Sequence, residues 1–202
     1  MQVQDIAEFN SKNFNYMVGS EESEAGDGWA YNEWIDNLYA GDDTETILAE
    51  IADTFVASND NAGGWWGGGN DQTLSVLDLN KMGDYFTKFE AMSAAIKNTV
   101  TSNKSTFKSI INNCKHYDAF STYALADGKD FLNKLAANSK FSSHATIINE
   151  AKELYSAMVI HNKKGNAAGN SNGLAFHTPV GYYDYPADES HFTNWVSLFN
   201  NL

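Results

Sequence analysis

The chain has 202 residues, of which 43% are hydrophobic and 13% aromatic, and it carries a formal net charge of -13. This length and composition exclude a disordered protein and predict one domain with a full core. The negative charge argues against nucleic acid or an anionic membrane as a partner and is compatible with basic ligands.

The first half of the chain alternates helical and extended patterns. We expect a helix over residues 2–12 and a strand over residues 14–20, where a short apolar run leads into an acidic segment. Residues 32–39 predict a short helix, and the run D-D-T-E at 42–45 is typical of a helix N-terminus. Residues 58–72 break every periodic pattern, and we interpret them as a flexible loop that carries two adjacent tryptophans.

The second half contributes two further strand candidates and the remaining helices. Residues 73–79 (T-L-S-V-L-D-L) are short, β-rich and bounded by polar residues, which is typical of a strand. A last strand is predicted at residues 173–177, before Pro179. Helical spacing is found after Asn80 and over residues 104–116, 128–137, 143–160 and 191–202. Three strands with six or seven helices predict an α/β fold with a small sheet.

The segment E-E-S-E-A-G-D-G-W (residues 21–29), which we name the acidic loop, lies between a predicted strand and a predicted helix. Such a position places functional side chains at the end of a sheet. Gly26 and Gly28 allow backbone angles that are closed to other residues, so we expect a stiff turn that presents Asp27 beside the flat ring of Trp29. From the residues alone, two interpretations stay open: a solvated loop that caps a helix, and a binding loop.

The rest of the sequence offers few residues for catalysis or metal binding. Cys114 is the only cysteine, so no intrachain disulfide forms, and we interpret it as a half-buried structural thiol rather than a nucleophile. His177 ends a predicted strand, where catalysis could use it, although a satisfied imidazole is the simpler interpretation. The histidines show no paired spacing, and residues 60–71 lack the ligand alternation of an EF-hand loop, so we predict no metal site.

Three stretches in chain order resemble the clostripain-type cysteine peptidases. Residues 16–29 (Y-M-V-G-S-E-E-S-E-A-G-D-G-W) resemble the segment after the catalytic cysteine of that family, A-S-E-E-x-E-P-G-x-G-W, with Ala25 in place of the proline. Residues 73–81 (T-L-S-V-L-D-L-N-K) are similar to its T-L-S-x-x-D-L-S-K. Residues 172–179 (N-G-L-A-F-H-T-P) are similar to its N-G-L-S-I-Y-x-P, and residues 185–199 match its closing aromatic helix.

The resemblance implies a caspase-like three-layer α/β fold and cleavage after Arg or Lys. The family's nucleophile lies in a D-x-C-L-M motif, and Met1 matches the last residue of that motif. We therefore expect residues 1–202 to be a single, incomplete domain fragment that holds the C-terminal part of the sheet with its flanking helices. The catalytic Cys and His would lie in the upstream half of the same fold. No residue of this chain is then catalytic, and the chain alone is expected to be inactive.

The resemblance also implies that the acidic loop belongs to the primary specificity pocket. We expect Asp27 to pair with a basic side chain of a peptide or protein substrate, and Trp29 to form a wall of the pocket. Ser20 and Glu21 are further candidates for the strand wall of the same pocket.

Other properties follow from the resemblance or stay open. A second function is a non-catalytic caspase-like pseudoenzyme or binding domain that recognises basic peptides or sugars through its aromatic residues. The Trp65-Trp66 pair either borders the cleft or packs to shield the core from solvent. No cofactor is expected, and only the resemblance leaves calcium open. The resemblance favours the exterior or cell envelope of a bacterium, although the N-terminus has no signal-peptide pattern.

Overall fold

The computed structural model describes residues 3–60, 71–117, 125–178, 192–199 and 202. These residues form eight α-helices: α1 Gln4–Asn10, α2 Tyr31–Ala40, α3 Thr44–Asn59, α4 Met82–Ser102, α5 Lys104–Asn112, α6 Gly128–Ala137, α7 Ala145–Met158 and α8 Thr193–Phe199. They also form six strands: β1 Tyr16–Gly19, β2 Thr73–Asp78, β3 His116–Tyr117, β4 Leu125–Asp127, β5 Val159–Lys164 and β6 Ala175–His177.

The central strand of the first sheet, β2, is covered by helices on both faces. The sheet has the order β1-β2-β5 and is antiparallel throughout, with Val76 opposite Val18 on one side and opposite His161 on the other. Side chains alternate along β2, so Leu74 and Val76 pack against α3 while Leu77 enters the main core with α4 and α7. All six residues of β2 are buried. The result is a helix–sheet–helix layering around β2.

The second sheet has the order β3-β4-β6 and is also antiparallel, and Val3 adds an isolated parallel bridge to the start of β6. It contributes Phe176 to the main core, where this ring stands edge-on to Trp195 of α8 with 4.9 Å between ring centres. The carboxylate of Glu90 on α4 accepts hydrogen bonds from two backbone N–H groups at the start of α8, including that of Trp195 at 3.0 Å. These bonds satisfy first-turn donors and hold α8 against the core.

The three predicted strands are present as β1, β2 and β6, whereas the sequence pattern does not predict β3, β4 and β5. The predicted helix over residues 143–160 is wrong at its end, because α7 stops at Met158 and the chain continues as β5. The β-branched residues Val159 and Ile160 fit a pleated strand, and Val159 pairs with Leu77.

Each predicted helix is present, with differences at the ends. The prediction for residues 128–137 matches α6 in full, while the predicted helix over residues 104–116 is too long because the residues after Asn112 turn and pair with β4 as β3. Most of the predicted loop at 58–72 lies outside the described residues, and α3 reaches Asn59. Among the described helices, none has both the length and the apolar character needed to cross a membrane.

Candidate functional site

Three segments that are far apart in the sequence meet beside β2. Ser20 and Glu21 follow β1, Thr73 begins β2, and Gly173 lies just before β6. The hydroxyl groups of Ser20 and Thr73 share a hydrogen bond of 3.0 Å, and the Glu21 N–H donates to Thr73 Oγ1 at 3.3 Å. The Gly173 N–H donates to Glu21 Oε2 at 2.9 Å. The three stretches that carry the family resemblance therefore converge in space.

The acidic loop is fastened at two further points by amide side chains. Gln72 Oε1 accepts a hydrogen bond of 3.2 Å from the Ala25 N–H, and Asn59 Nδ2 donates one of 3.1 Å to the Gly28 carbonyl oxygen. Gln72 directly precedes β2, and Asn59 is the last residue of α3. The loop is thus held against the start of β2 and the end of α3.

Asp27 lies in a tight turn within this loop. The Gly28 N–H donates to the Ala25 carbonyl oxygen at 3.1 Å, and Gly28 has a φ of 74°, in the left-handed region that favours glycine. Gly26, the other glycine of the loop, does not adopt a φ in that region. The Asp27 side chain is exposed, and no ion pair within the described residues involves it. Its carboxylate is open to a cationic ligand.

Trp29 forms a supported aromatic wall in the same loop. Its ring is half-buried, packs against the small core around α3, and stacks on Tyr31 with 6.4 Å between ring centres and 25° between planes. Tyr31 in turn lies 5.4 Å from the ring of Trp34. Trp29 Nε1 donates a hydrogen bond of 2.9 Å to Glu24 Oε2, which fixes a second carboxylate in the loop. The loop therefore presents the carboxylates of Glu24 and Asp27, both exposed, beside an anchored aromatic surface.

Ser20, which precedes the acidic loop, and Glu21, its first residue, are buried rather than at the surface. Each is only 1% exposed. Besides its bond to Thr73, Ser20 Oγ accepts a hydrogen bond of 3.1 Å from the Glu22 N–H. These two predicted site residues therefore support the loop from below, whereas Asp27 and Trp29 are the two that solvent reaches.

Asp127, which the sequence pattern does not single out, is fully buried at the end of β4. Its Oδ1 accepts hydrogen bonds from the Asp130 N–H at 2.7 Å and Asn172 Nδ2 at 2.9 Å. Its Oδ2 accepts from the Tyr117 hydroxyl at 3.0 Å and the Asn172 N–H at 2.6 Å. The Glu21 carboxyl group contacts that of Asp127, and burial, followed by this neighbouring charge, raises the pKa of Glu21 well above its usual range. The only sequence signal is the helix cap that Asp127 forms for α6.

Cys114 and His116 each bond to a carbonyl group of α5 and form no catalytic pair. Cys114 Sγ donates a hydrogen bond of 3.2 Å to the Ile110 carbonyl oxygen, and His116 Nε2 lies 2.9 Å from the Ile111 carbonyl oxygen. Burial raises the pKa of Cys114 to about 12, and the charge of Asp130 adds to this effect. The side chain is therefore a protonated, buried thiol, in agreement with the predicted structural role.

The remaining predicted residues add no second site. His177 lies at the end of β6 as predicted, and burial lowers the pKa of its imidazole, so the ring is neutral near pH 7. Trp65, Trp66 and Tyr185 lie outside the described residues. Over the part of the chain that the structure describes, no group of three or more His, Cys, Asp or Glu side chains is arranged to hold a metal ion.

A cleft of about 530 Å³ lies between α5 and α6. It is lined by Ser105, Thr106, Ser109, Ile110, Asn113, Lys134, Ala137 and Asn138. None of the predicted site residues belongs to this lining, and the ammonium group of Lys134 is paired with Asp130. The chemistry of the acidic loop, rather than the volume of this cleft, points to the candidate site.

Comparison with known proteins identifies the family of the chain. The sequence profile of the clostripain family (Peptidase_C11) matches residues 1–202. A search of curated protein sequences gives no significant match.

Solved structures of C11 proteases share the fold. A clostripain from Bacteroides thetaiotaomicron, in complex with the peptide inhibitor BTN-VLTK-AOMK, has a TM-score of 0.66 at 12% identity, covering 97% of this chain and 82% of that one. A secreted C11 cysteine protease from the same organism, iotapain, has a TM-score of 0.68 at 14% identity, covering 98% and 52%.

An inactive zymogen C11 protease from Parabacteroides distasonis has a TM-score of 0.62 at 15% identity, covering 89% of this chain and 50% of that one. The chain thus spans about half the length of two of these three relatives. The predicted caspase-like α/β fold is confirmed by these likenesses.

Proposed function

The chain belongs to the clostripain family of cysteine peptidases, and we propose that it carries the primary specificity pocket of an endopeptidase that cleaves after basic residues. One observation carries this proposal: Asp27 is an exposed carboxylate in a turn that Gln72 and Asn59 hold by hydrogen bonds to the neighbouring backbone. A carboxylate on a fixed backbone forms charge-assisted hydrogen bonds with Lys or Arg side chains. The net charge of -13 further favours a cationic ligand.

One of the similar structures supports this substrate class. The Bacteroides thetaiotaomicron clostripain was solved with the inhibitor BTN-VLTK-AOMK, whose peptide part contains a lysine. At 12% identity that protein shares only the fold with this chain. The preference for basic residues is therefore proposed from Asp27 itself, and the inhibitor is a supporting observation.

The chain's own residues supply no cysteine nucleophile. Cys114 is the only cysteine of the sequence, and a pKa of about 12 keeps its buried thiol protonated, whereas a peptidase needs the thiolate. We therefore propose that the nucleophile and its histidine belong to an upstream half of the same fold, against which this chain packs. The chain alone then binds basic peptides without cleaving them.

The aromatic surface supports a second candidate, a non-catalytic domain that binds basic peptides or sugars. Tyr31 is 57% exposed and stacks on Trp29, so the pair offers a flat face to a sugar ring or a cation. In this candidate the acidic loop binds its ligand in the same way, but no nucleophile is ever brought to the bound peptide.

Binding and turnover separate the two candidates. The chain is titrated with an arginine tetrapeptide and with the matching citrulline peptide, which has nearly the same shape and no charge. We expect tighter binding of the arginine peptide, a difference that Asp27→Asn removes. The control Asp36→Asn makes the same charge change at an exposed position of α2 and should preserve the difference. Equal affinity of the unaltered chain for both peptides would contradict recognition of basic residues in either candidate.

Turnover is then measured on the joined protein, in which this chain and the proposed upstream half are expressed as one polypeptide. Thiol-dependent cleavage after arginine supports the peptidase, because the joined protein supplies the nucleophile that this chain lacks. Selective binding of the arginine peptide with no cleavage by the joined protein supports the binding domain instead.

A further inference from the structure

Two carboxyl groups accept hydrogen bonds from two consecutive backbone N–H groups. Asp127 Oδ2 accepts from the Asn172 N–H at 2.6 Å, and Glu21 Oε2 accepts from the Gly173 N–H at 2.9 Å. Glu21 begins the acidic loop after β1 of the first sheet, while Asp127 ends β4 of the second sheet. The two residues are 1% and 0% exposed. This pair of acids therefore joins the acidic loop to the second sheet.

The hydrogen-bond partners decide which of the two acids is ionised. Asp127 accepts four hydrogen bonds, from Tyr117, from Asp130 and twice from Asn172, and such donors stabilise the charged carboxylate. Glu21 Oε1 is buried and has no donor of its own, because the neighbouring Tyr117 hydroxyl, which also lies beside the Glu21 carboxyl group, donates its proton to Asp127 Oδ2. An oxygen in this position is satisfied when it carries a proton and donates to the carboxylate that it contacts.

Within the described residues, no cationic side chain neutralises either acid of the pair, because no ion pair there includes Glu21 or Asp127. The neutral titratable groups around the pair are a thiol and three phenols: Cys114, Tyr85 of α4, Tyr117 of β3 and Tyr155 of α7. The charged groups nearby already form ion pairs with each other: Lys115 with Glu22, and Lys134 with Asp130 of α6. Two buried carboxyl groups in contact cannot both ionise under these conditions.

We propose that Glu21 and Asp127 share one proton and act as positioning residues for the acidic loop, with Glu21 as the neutral acid that donates to the Asp127 carboxylate. The inference rests on the proposed function, because the loop that Glu21 begins also carries Asp27. Loss of the proton puts two like charges in contact, and their repulsion loosens the start of the loop. The pocket then binds basic side chains most tightly while Glu21 is protonated.

The direction of the pH effect follows from the raised pKa of Glu21. The unfolded chain releases this proton near the ordinary glutamate pKa of about 4.3, whereas the folded chain retains it to a higher pH. Between these two values the folded state binds more protons than the unfolded state. The free energy of unfolding therefore falls as pH rises through this interval, and the fall ends once the folded pKa is passed.

Glu21→Gln is the variant that tests the pair. The glutamine amide donates to Asp127 and its oxygen accepts from Gly173, so the variant keeps both contacts and cannot ionise. We expect urea unfolding from about pH 5 to about pH 9 to show a decline in stability for the unaltered chain and a clearly smaller decline for Glu21→Gln. The control Glu33→Gln, at an exposed position of α2, should follow the unaltered chain. Equal slopes for the unaltered chain and Glu21→Gln would overturn the proposal.

A second measurement detects the shared proton in the unaltered chain itself, and the variant serves only to assign the signal. Carbon-13 labelling of the glutamate side chains allows each carboxyl group to be titrated by NMR in the unaltered chain. One glutamate should stay protonated well above the ordinary value of about 4.3, and its signal should be absent in Glu21→Gln. A spectrum in which every glutamate titrates near the ordinary value would overturn the shared proton.

Binding of the arginine peptide distinguishes this inference from the proposed function, because the guanidinium group stays charged throughout the pH range. We expect affinity to fall by about 5-fold or more between the ends of the range, and Glu21→Gln to remove most of this fall. If the stability and NMR results hold but the peptide does not bind, the proton pair stands and the proposed function fails. If the arginine peptide binds selectively but its affinity does not change with pH, the proposed function stands and the positioning role of the proton pair fails.

Discussion

The hydroxyl of Ser75 donates a hydrogen bond of 2.8 Å to the carbonyl oxygen of Gly173, and the same serine fills the space beside the Gly173 Cα. A Cβ on residue 173 would lie 3.1 Å from Ser75 Cβ and 2.8 Å from Val159 Cγ1, which is closer than packed atoms approach. Gly173 also has a φ of 107°, in the region that favours glycine. The first sheet and the segment before β6 are therefore in contact across a space that requires glycine.

We predict that Gly173→Ala destabilises the chain by about 2–5 kcal/mol, because backbone strain and overpacking act together. Gly169→Ala is the matched control, since Gly169 has a φ of 62° but no atom within 4 Å of a Cβ built on it. Strain alone, about 1–2 kcal/mol, applies there. Urea unfolding followed by tryptophan fluorescence measures both variants. Equal losses would show that the contacts of residue 173 place no steric limit on it.

Asp27→Asn should lower the affinity for the arginine peptide by roughly 10- to 150-fold, which corresponds to about 1.5–3 kcal/mol for a hydrogen bond to a charged group. Affinity for the citrulline peptide should not change, because the shape of the side chain is kept. In the joined enzyme the loss should appear in kcat/KM for Arg and Lys substrates, with alkylation by a small uncharged thiol reagent preserved. A loss under about threefold would make Asp27 a solvated loop residue.

Trp29→Ala should weaken the binding of both peptides, because it removes the aromatic wall and leaves the Asp27 carboxylate in place. We expect a loss of about 0.5–1.5 kcal/mol, measured by titration calorimetry. Tyr39→Ala removes another aromatic ring, 85% exposed on α2, and serves as the control for general loss of aromatic surface. An effect of Tyr39→Ala as large as that of Trp29→Ala would contradict a specific role for the Trp29 ring.

Cys114 should react with disulfide reagents at least about 100-fold more slowly in the native chain than in guanidinium, where its thiol regains an ordinary pKa of about 8.5. The reason is that a pKa of about 12 leaves very little thiolate near neutral pH. The chain alone should show no thiol-dependent hydrolysis of Arg or Lys peptides. Turnover that disappears in Cys114→Ala would contradict this prediction and give Cys114 a catalytic role.

The chain alone should self-associate through apolar side chains near α1. Phe9 and Phe14 are 65% and 61% exposed and lie five residues apart, and we expect them to contribute to one apolar patch, the kind of surface that another molecule covers. Analytical ultracentrifugation should show a sedimentation coefficient that rises with concentration, and the double substitution Phe9→Ser and Phe14→Ser should abolish the rise. Tyr39→Ser, at an 85% exposed position of α2, should retain it. A monodisperse monomer at all concentrations would contradict the prediction.

Local patterns predict the elements whose residues carry a complete signal of their own. Residues 128–137 were assignable to a helix from their spacing alone, and β2 was assignable from a β-rich run between polar residues. The strand β5 continues the pattern of the preceding helix, and its extended form depends on pairing with Leu77, which is distant in sequence. The strands β3 and β4 have two and three residues, too few for any periodicity to appear.

The residues of the candidate site also differ in whether a local stretch of sequence identifies them. Asp27 and Trp29 can be identified from one continuous stretch, because the turn and the aromatic ring lie two residues apart. Asp127 cannot, because its role depends on contacts with Asn172, 45 residues later, and with Glu21 in another part of the chain. In sequence it is an ordinary helix cap. A buried acid pair of this kind becomes visible only when the fold brings its members together.

The bond between Glu21 and Gly173 also joins an early segment of the chain to a segment that is synthesised much later. Its two partners are 152 residues apart, and translation at about 5–20 residues per second makes the later one roughly 8–30 s after the earlier one. During that interval the growing chain carries the acidic loop without the amide that fastens it. Until residue 173 is synthesised, the acidic loop therefore lacks this native anchor, and the pocket proposed for basic side chains cannot be complete.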